Sequence, residues 1–358
     1  MKNPYNFDFE SRDYYNSIIH THHHEDIVEN SEENKDEIQK YYDEMYNRGI
    51  RHISFSEYSP AMPTYPLEDY LHELDNDIID SPNSEHRPHP HIIALGSLNK
   101  FDRDEEEYTR QSVIRDITDN LQYSDGGGLF YAHPNRSRKK NNQSALLNIK
   151  QNIITWFMQY QEYFLGLEIY NYRAERWYSV GKNIDIWNQI LFEGYQCFGS
   201  CVPDLHDAFT DKTEGLNVVM PKSNDNEGIL NAYRQGNFFG AIHGTGLYFD
   251  NISADSDKIN VKTNEKADIT FIIGKINEHY KNSKIKDVEK ITKTDTTSAN
   301  YKLTGDEIFV RIEADGKEEL EEGNYWSQPY ETIYSNPIIY TDADEINKLK
   351  TKRRLLIY

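Results

Sequence analysis

From Ser17 to about Phe249, short apolar runs alternate with longer segments of helical period, and this rhythm limits the folds open to the chain. Strand-like runs cover Ser17 to His20, Arg51 to Ser56, His91 to Leu95, Leu129 to Ala132, Gly166 to Tyr170 and Cys197 to Cys201. Between them, helices are expected over Asn34 to Arg48, Leu67 to Ile79, Glu106 to Gln122, Ile149 to Tyr163 and Asp185 to Glu193. In the first helix Ile38, Tyr41, Tyr42, Met45 and Tyr46 recur at helical spacing until Gly49 stops it. A strand-then-helix rhythm predicts a parallel sheet with crossover helices, closed as a barrel or open and doubly wound. From about Ile259 the composition shifts to short strands, such as Asp268 to Ile273 and Glu307 to Ile312, with turns rich in Asp, Gly, Asn and Ser. That pattern predicts a smaller β-sandwich or appended sheet, so the chain divides at 1–253 and 254–358. Within the second part, Lys275 to Lys281 reads as helical, Thr292 to Asn300 as a mobile polar segment, and Lys350 to Arg354 as a solvated turn.

Composition narrows the partners. The 358 residues carry 60 acidic and 39 basic side chains, a formal net charge of -21. Such a field repels nucleic-acid backbones and anionic membranes, so general nucleic-acid binding and membrane association are not expected. Cys197 and Cys201 are the two cysteines, too few for a disulfide framework or a zinc ribbon. The acidic stretch Met1 to Asp13 has no apolar core, and no run reaches the ~18 residues of a membrane span, so a cytoplasmic location is expected.

The chemistry collects at strand ends. Ser17-Ile18-Ile19 leads into His20-Thr21-His22-His23-His24-Glu25-Asp26. Side chains alternate along an extended segment, so His20 and His22 share a side, a common way of presenting two ligands to one metal ion. The run is interrupted by Thr21 and follows an apolar strand, unlike a purification tag. His23 and His24 read as surface groups or as supports for the ligands. Later strands end at Glu57, at His133 in Tyr131-Ala132-His133-Pro134, at Glu168 in Gly166-Leu167-Glu168-Ile169, and at Asp204 and His206 in Pro203-Asp204-Leu205-His206. In parallel α/β folds ligands bind beyond the C-terminal strand ends. A mixed imidazole and carboxylate shell without thiolates suits Zn, Mn or Fe.

In this order, His20-x-His22, Phe55-Ser56-Glu57-Tyr58-Ser59-Pro60, Ala132-His133-Pro134, Gly166 to Asn171 and Pro203 to His206 resemble the PHP (polymerase and histidinol phosphatase) family of metallohydrolases. Arg234 to Phe239 and Gly244 to Leu247 are similar to that family's closing helix-loop-strand, and the likeness covers roughly residues 15 to 250. Phe309 to Ala314 and Trp326 to Pro329 are similar to the β-rich extension of some such enzymes. The resemblance implies a distorted (β/α)7 TIM-like barrel and a cluster of one to three divalent ions held by His20, His22, Glu57, His133, Glu168, Asp204 and His206. It also implies metal-assisted hydrolysis of a small molecule, above all a phosphate ester. Two positions depart from the pattern. Glu57-Tyr58 stands where Asp-His is usual, and Ala94-Leu95-Gly96-Ser97-Leu98 lacks the usual bridging acid.

Roles divide accordingly. Glu57 is a ligand or a buried carboxylate bonded to a histidine, and Tyr58 is a packing residue whose hydroxyl could reach an oxyanion. His133 and His206 are ligands or general acids, since imidazole titrates near neutrality. Arg136, with Arg138, Lys139 and Lys140 behind it, is a solvated face or a clamp for a substrate phosphate. His243 reads as loop structure, and Trp156, Trp177 and Trp187 as packing. Three functions fit: a metal-dependent phosphoesterase, a metallohydrolase of carboxylic esters, carbamates or amides, and a degenerate barrel with a binding or structural role.

Overall fold

A computed structural model describes residues 1–22, 35–56, 77–86, 91–98, 110–135, 143–160, 162–207, 209–243, 246–279, 285–320 and 329–356. The expected helices and strands in these ranges form close to their predicted places. β1 (Tyr15–Ile18) is followed by α1 (Lys35–Asn47), which buries Tyr41, Tyr42 and Met45, and the chain turns at Gly49, where φ is +80°. β2 (Ile50–Ile53), β3 (Ile79–Asp80), β4 (Glu85–His86) and β5 (Ile92–Leu95) come next. Then follow α2 (Arg110–Asp119), β6 (Gly128–Tyr131), α3 (Gln143–Gln159), β7 (Phe164–Asn171), α4 (Tyr172–Tyr178), α5 (Ile184–Leu191) and β8 (Phe198–Val202). β9 (Gly215–Val219), α6 (Asn226–Gln235) and β10 (Phe238–Ile242) precede the long strands β11 (Phe249–Ala254) and β12 (Lys258–Lys275). The chain closes with α7 (Ile276–His279), β13 (Glu289–Lys302), β14 (Glu307–Gly316), β15 (Thr332–Ser335), β16 (Ile338–Ile339) and α8 (Ala343–Leu356). The helix expected over Leu67 to Ile79 falls almost wholly outside the described residues.

The expected (β/α)7 barrel is not what these strands build. They form an eleven-stranded sheet, ordered β11-β12-β14-β15-β10-β9-β1-β2-β3 with β13 beside β12 and β16 beside β14, and a five-stranded sheet β4-β5-β6-β7-β8. Among the described residues there is no closed barrel. The reason is strand direction. β1-β2-β3 and β6-β7-β8 run parallel, but β1 pairs antiparallel with β9, β9 with β10, and β4 with β5 with β6. The link between β4 and β5 is too short for a parallel crossover, which needs a dozen or more residues. A helix between two strands does not dictate that they run the same way, as β9, α6 and β10 show. Nor do the later strands make a sandwich of their own: β10 pairs with β15, and β15 with β14, so strands from both ends of the chain share one sheet. The polar stretch 292–300, expected to be mobile, lies in β13, paired to β12; four of its residues are β-branched Thr, which suit a strand. Lys350 to Arg354 belongs to α8, not to a turn. No helix among the described residues is long and apolar enough to cross a membrane.

Period-two alternation decides which side chains meet across the two sheets. Ile92, Ala94, Leu129 and Tyr131 pack with Trp156 and Trp187 from α3 and α5, while Ile93, Leu95, Phe130 and Ala132 pack with Ile19, Val219, Tyr233 and Phe238. β7 is buried on both faces along its whole length. β8 and β9 share no ladder; the Asn217 side chain joins them, accepting from Cys201 N at 3.0 Å and donating to Ser200 Oγ at 3.0 Å.

A chain of buried hydrogen bonds crosses the base of β1. The Ser81 hydroxyl donates to Asn226 Oδ1 at 2.6 Å, so it accepts from His52 Nε2-H at 2.8 Å. His52 Nδ1 then accepts from the Ser17 hydroxyl at 2.7 Å, and Ser17 accepts from Tyr233 at 2.6 Å. A second proton on His52 would break this directionality inside the core. Burial holds His52 down to about 3 and His86 down to about 4. The sign follows from linkage. Below about pH 6.5 the unfolded chain takes up protons at these two positions that the folded chain refuses, so stability falls toward pH 3 to 4, by up to about 1.4 kcal/mol per pH unit for each group. In urea unfolding at pH 6.5 and 4.5, His52→Asn should lose less stability between the two conditions than the parent chain. Equal losses would contradict the assignment.

Candidate metal centre

Where the two sheets meet at the C-terminal end of β1, backbone bonds stitch the first sequence motif to the last. Asp204 N donates to His20 O at 3.0 Å, and His22 N donates to Leu205 O at 2.7 Å. This seam brings residues almost two hundred positions apart onto one spot. Asn83 Nδ2 bonds Ile19 O at 2.7 Å, which draws the turn before β4 to the same place. Ala132 N bonds His91 O at 3.0 Å and sets the segment leading to His133 beside the start of β5.

Two carboxylates stand at the centre. Glu85 Oε1 meets His91 Nδ1 in a very short contact and His133 Nε2 at 3.0 Å, while Oε2 lies 3.3 Å from His22 Nε2 and 3.6 Å from His20 Nε2. Asp204 Oδ1 lies 3.3 Å from His20 Nε2, 3.6 Å from His22 Nε2 and 3.3 Å from His206 Nε2. Four groups of three ligand atoms, each within 4.8 Å of one another, result: His20-His22-Glu85, His20-His133-Asp204, His22-Asp204-His206 and Glu85-His91-His133. Every member is buried except His206, which is about 30% exposed in its side chain and stacks on His22 with ring centroids 4.4 Å apart.

Glu168 stands behind this cluster. Its Oε1 accepts from His20 Nδ1 at 2.5 Å, and its Oε2 accepts from His133 N at 2.6 Å and Asn171 Nδ2 at 2.9 Å. Asn171 also donates to Asp204 Oδ2 at 3.1 Å and caps α4 through Ala174 N at 2.8 Å. A carboxylate that holds one imidazole nitrogen turns the other toward a metal and raises its basicity. His133 and Asp204 both carry positive φ, 27° and 53°, a conformation uncommon outside glycine, and both backbones are held there by bonds to Glu168 or His20.

The charge balance tests whether a cation fits. Glu85, Glu168 and Asp204 are at most 5% exposed, and no lysine or arginine among the described residues pairs with them. Carboxylates buried without cations cost several kcal/mol each. Imidazoles alone compensate. Burial by itself would lower His20, but Asp204, Glu168 and Glu85 together push it well above its ordinary value. Burial would raise Glu85 and Asp204, yet His20 and the neighbouring imidazoles hold both well below the usual carboxylate range. His206 goes down, through burial first, with the His22 and Arg173 charges adding to it and Asp204 opposing. His20 Nε2 and Glu85 Oε2 are buried and make no hydrogen bond. A divalent cation would satisfy both atoms and replace the proton that three carboxylates otherwise force onto His20, so the residues fit the ion.

Of the residues singled out in the sequence, His20, His22, His133, Asp204 and His206 converge, with Glu168 in contact through His20. Glu57 and Arg136 lie outside the described residues, as do His23, His24, Tyr58, Arg138, Lys139 and Lys140. His243 sits apart, its Nε2 3.9 Å from Glu214 Oε2. Trp156 and Trp187 are core residues, whereas Trp177 is 60% exposed. Sequence reasoning missed Glu85 and His91. Glu85 lies on β4, the strand paired with β5, and so brings a carboxylate beside a strand that carries none. The signal was a carboxylate and an imidazole flanking a Pro-bearing segment, Glu85-His86-Arg87-Pro88-His89-Pro90-His91, that otherwise reads as a loop.

No protein-family profile matches the chain, and no curated protein matches it. Among solved structures it is similar to a two-domain protein containing a predicted PHP-like metal-dependent phosphoesterase from Bacteroides vulgatus ATCC 8482, at 12% identity and a TM-score of 0.44, covering 94% of this chain and 99% of that one.

If Glu168 orients His20 without ligating, Glu168→Gln weakens metal binding by about tenfold to a hundredfold at unchanged stoichiometry. Calorimetric titration of the metal-stripped chain measures both quantities. A drop in the number of ions bound would instead make Glu168 a ligand.

Proposed function

We propose that the chain is a metal-dependent hydrolase, with a phosphate ester as its preferred substrate. The observation that carries this reading is the packing of His20, His22, His91, His133, His206, Glu85 and Asp204 into overlapping groups of three ligand atoms, all buried but His206. Oxygen and imidazole donors without thiolate favour Zn, Mn or Fe. When bound, such an ion supplies Lewis acidity and eases proton loss from water near neutral pH. The chain's own residues do the rest. Glu168 keeps His20 in the tautomer whose Nε2 faces Glu85 and Asp204. His206, about 30% exposed in its side chain, is held by burial below its ordinary value, so it is neutral near pH 7 and offers Nε2 as a ligand or proton acceptor.

A small-molecule substrate and a cytoplasmic setting fit the acidic field of the chain, which disfavours nucleic-acid and membrane partners. The second reading, cleavage of a carboxylic ester, carbamate or amide, uses the same activated water. Turnover of an aryl phosphate against the matching aryl acetate separates the two.

The test is elemental analysis joined to assay. The purified chain should contain at least one divalent ion, lose hydrolysis of phosphate monoesters on chelation and regain it with metal. His20→Ala should lose both ion and activity. Less than one ion per chain, with thermal stability unmoved by chelator, would sink the reading in favour of a binding or structural role.

A further inference from the structure

A cavity of about 280 Å³ lies at the far end of the parallel strands from the metal centre. Phe164 and Phe198, the first residues of β7 and β8, form part of its wall, whereas Glu168 and Asp204 lie toward the other ends of these strands. Four residues along β7 separate Phe164 from Glu168, about 13 Å at roughly 3.3 Å per residue. The end of α3, the turn after α5, the end of α6 and the start of α8 bound the remaining sides. No residue of the clustered metal ligands lines it.

One wall is aromatic. Phe157 packs edge-on to Phe164 with ring centroids 4.7 Å apart and stacks on Tyr195 at 5.3 Å, and Phe198 adds a further ring. Such a wall draws the apolar body of a small molecule out of water.

The charged groups supply the polar contacts. Arg234 is half-buried, lies over the Tyr163 ring at 4.9 Å and gives one donor to Gly127 O at 3.2 Å. Among the described residues no carboxylate pairs with it: Glu162 and Asp125 act on it at a distance, and Asp125 is bonded to Asn231 at 3.0 Å. Half-burying a guanidinium without a counter-ion is unfavourable, and its planar fork matches a carboxylate. The same cavity is lined by Lys2, Glu162, Asp342 and Asp344. Asp342 is committed to the start of α8, its Oδ1 accepting from Asp344 N and Glu345 N at 3.1 Å each. Glu162 and Asp344 remain to face Lys2 and Arg234. With charges of both signs around it, the cavity suits a ligand that carries both signs and disfavours a dianion.

We propose that this cavity binds a small zwitterion with an apolar ring, an aromatic α-amino acid being the simplest case. The carboxylate meets Arg234, the ammonium faces Glu162 and Asp344, and the ring lies against Phe157, Phe164 and Phe198. The site shares no residue with the metal centre, so it stands whether or not the chain is a hydrolase.

The experiment titrates the full chain with L-phenylalanine in a calorimeter, with and without chelator. One equivalent should bind with a Kd of about 1 mM or tighter, unchanged by chelation. Phenylpropionate, which lacks the ammonium, and phenethylamine, which lacks the carboxylate, should each bind about tenfold to a hundredfold more weakly, as expected for losing a hydrogen bond to a charged group. Arg234→Met should weaken L-phenylalanine by the same factor and leave phenethylamine unchanged. Ala343→Phe, which adds a ring at the cavity wall and removes no charge, should abolish uptake; circular dichroism checks that both variants are folded. If Arg234→Met does not fold, Ala343→Phe and the two analogues carry the test. A parent chain that takes up no L-phenylalanine overturns the inference, as does affinity unchanged in the folded variants. Analogues that bind as tightly as L-phenylalanine also overturn it, and uptake lost on chelation would put the probe on the metal centre instead.

Discussion

Everything at the functional end of this protein depends on three carboxylates, Glu85, Glu168 and Asp204, buried with imidazoles as their compensating groups. No lysine or arginine among the described residues reaches them. Water is excluded, so their charge has to be answered locally. Glu85 and Asp204 sit amid four and three imidazoles respectively, and His20 touches all three acids. That arrangement is poorly balanced by protons alone, because a single protonated His20 cannot neutralise three carboxylates. It is well balanced by divalent cations. The electrostatic demand and the donor geometry therefore point the same way.

The scaffold meets this demand by closing the site with backbone, not with side chains. The His20-Asp204 and His22-Leu205 hydrogen bonds make the end of β1 and the end of β8 neighbours although they belong to different sheets. Parallel pairing within β6-β7-β8 then puts His133 and Glu168 at one level, and the β4-β5 hairpin swings Glu85 and His91 in from the side. The apolar contacts among Ile19, Phe130, Val219 and Phe238 hold the two sheets face to face beneath the site. Rigidity under the ligands matters because metal affinity falls steeply when ligands are displaced.

Charge distribution separates the floor of the site from its rim. The floor is acidic and buried; the rim sets Arg48, Arg173 and Arg176 around Asp211, with Glu44 and Asp207 beside them.

The chain's local pattern carried a large share of this. Alternation and helical period located α1, β5, β6, β7 and β8, because burial of one face depends on neighbours a few residues away. The imidazoles and acids at strand ends, His20, His22, His133, Asp204 and His206, stood out for the same reason. Strand direction did not, since the pairing of β9 and β10 with β1 and β15 depends on where distant segments meet, and it turned an expected barrel into two sheets. Nor did the parts of the site that only pairing creates. Glu85 and His91 flank a stretch that reads as loop until the β4-β5 hairpin forms. The bonds of Glu168 to His20 and to the His133 amide likewise appear only once the strands pair. Residue type alone determined that this protein could hold a metal. Which ligand atoms converge was decided by long-range backbone hydrogen bonds that no local window of sequence contains.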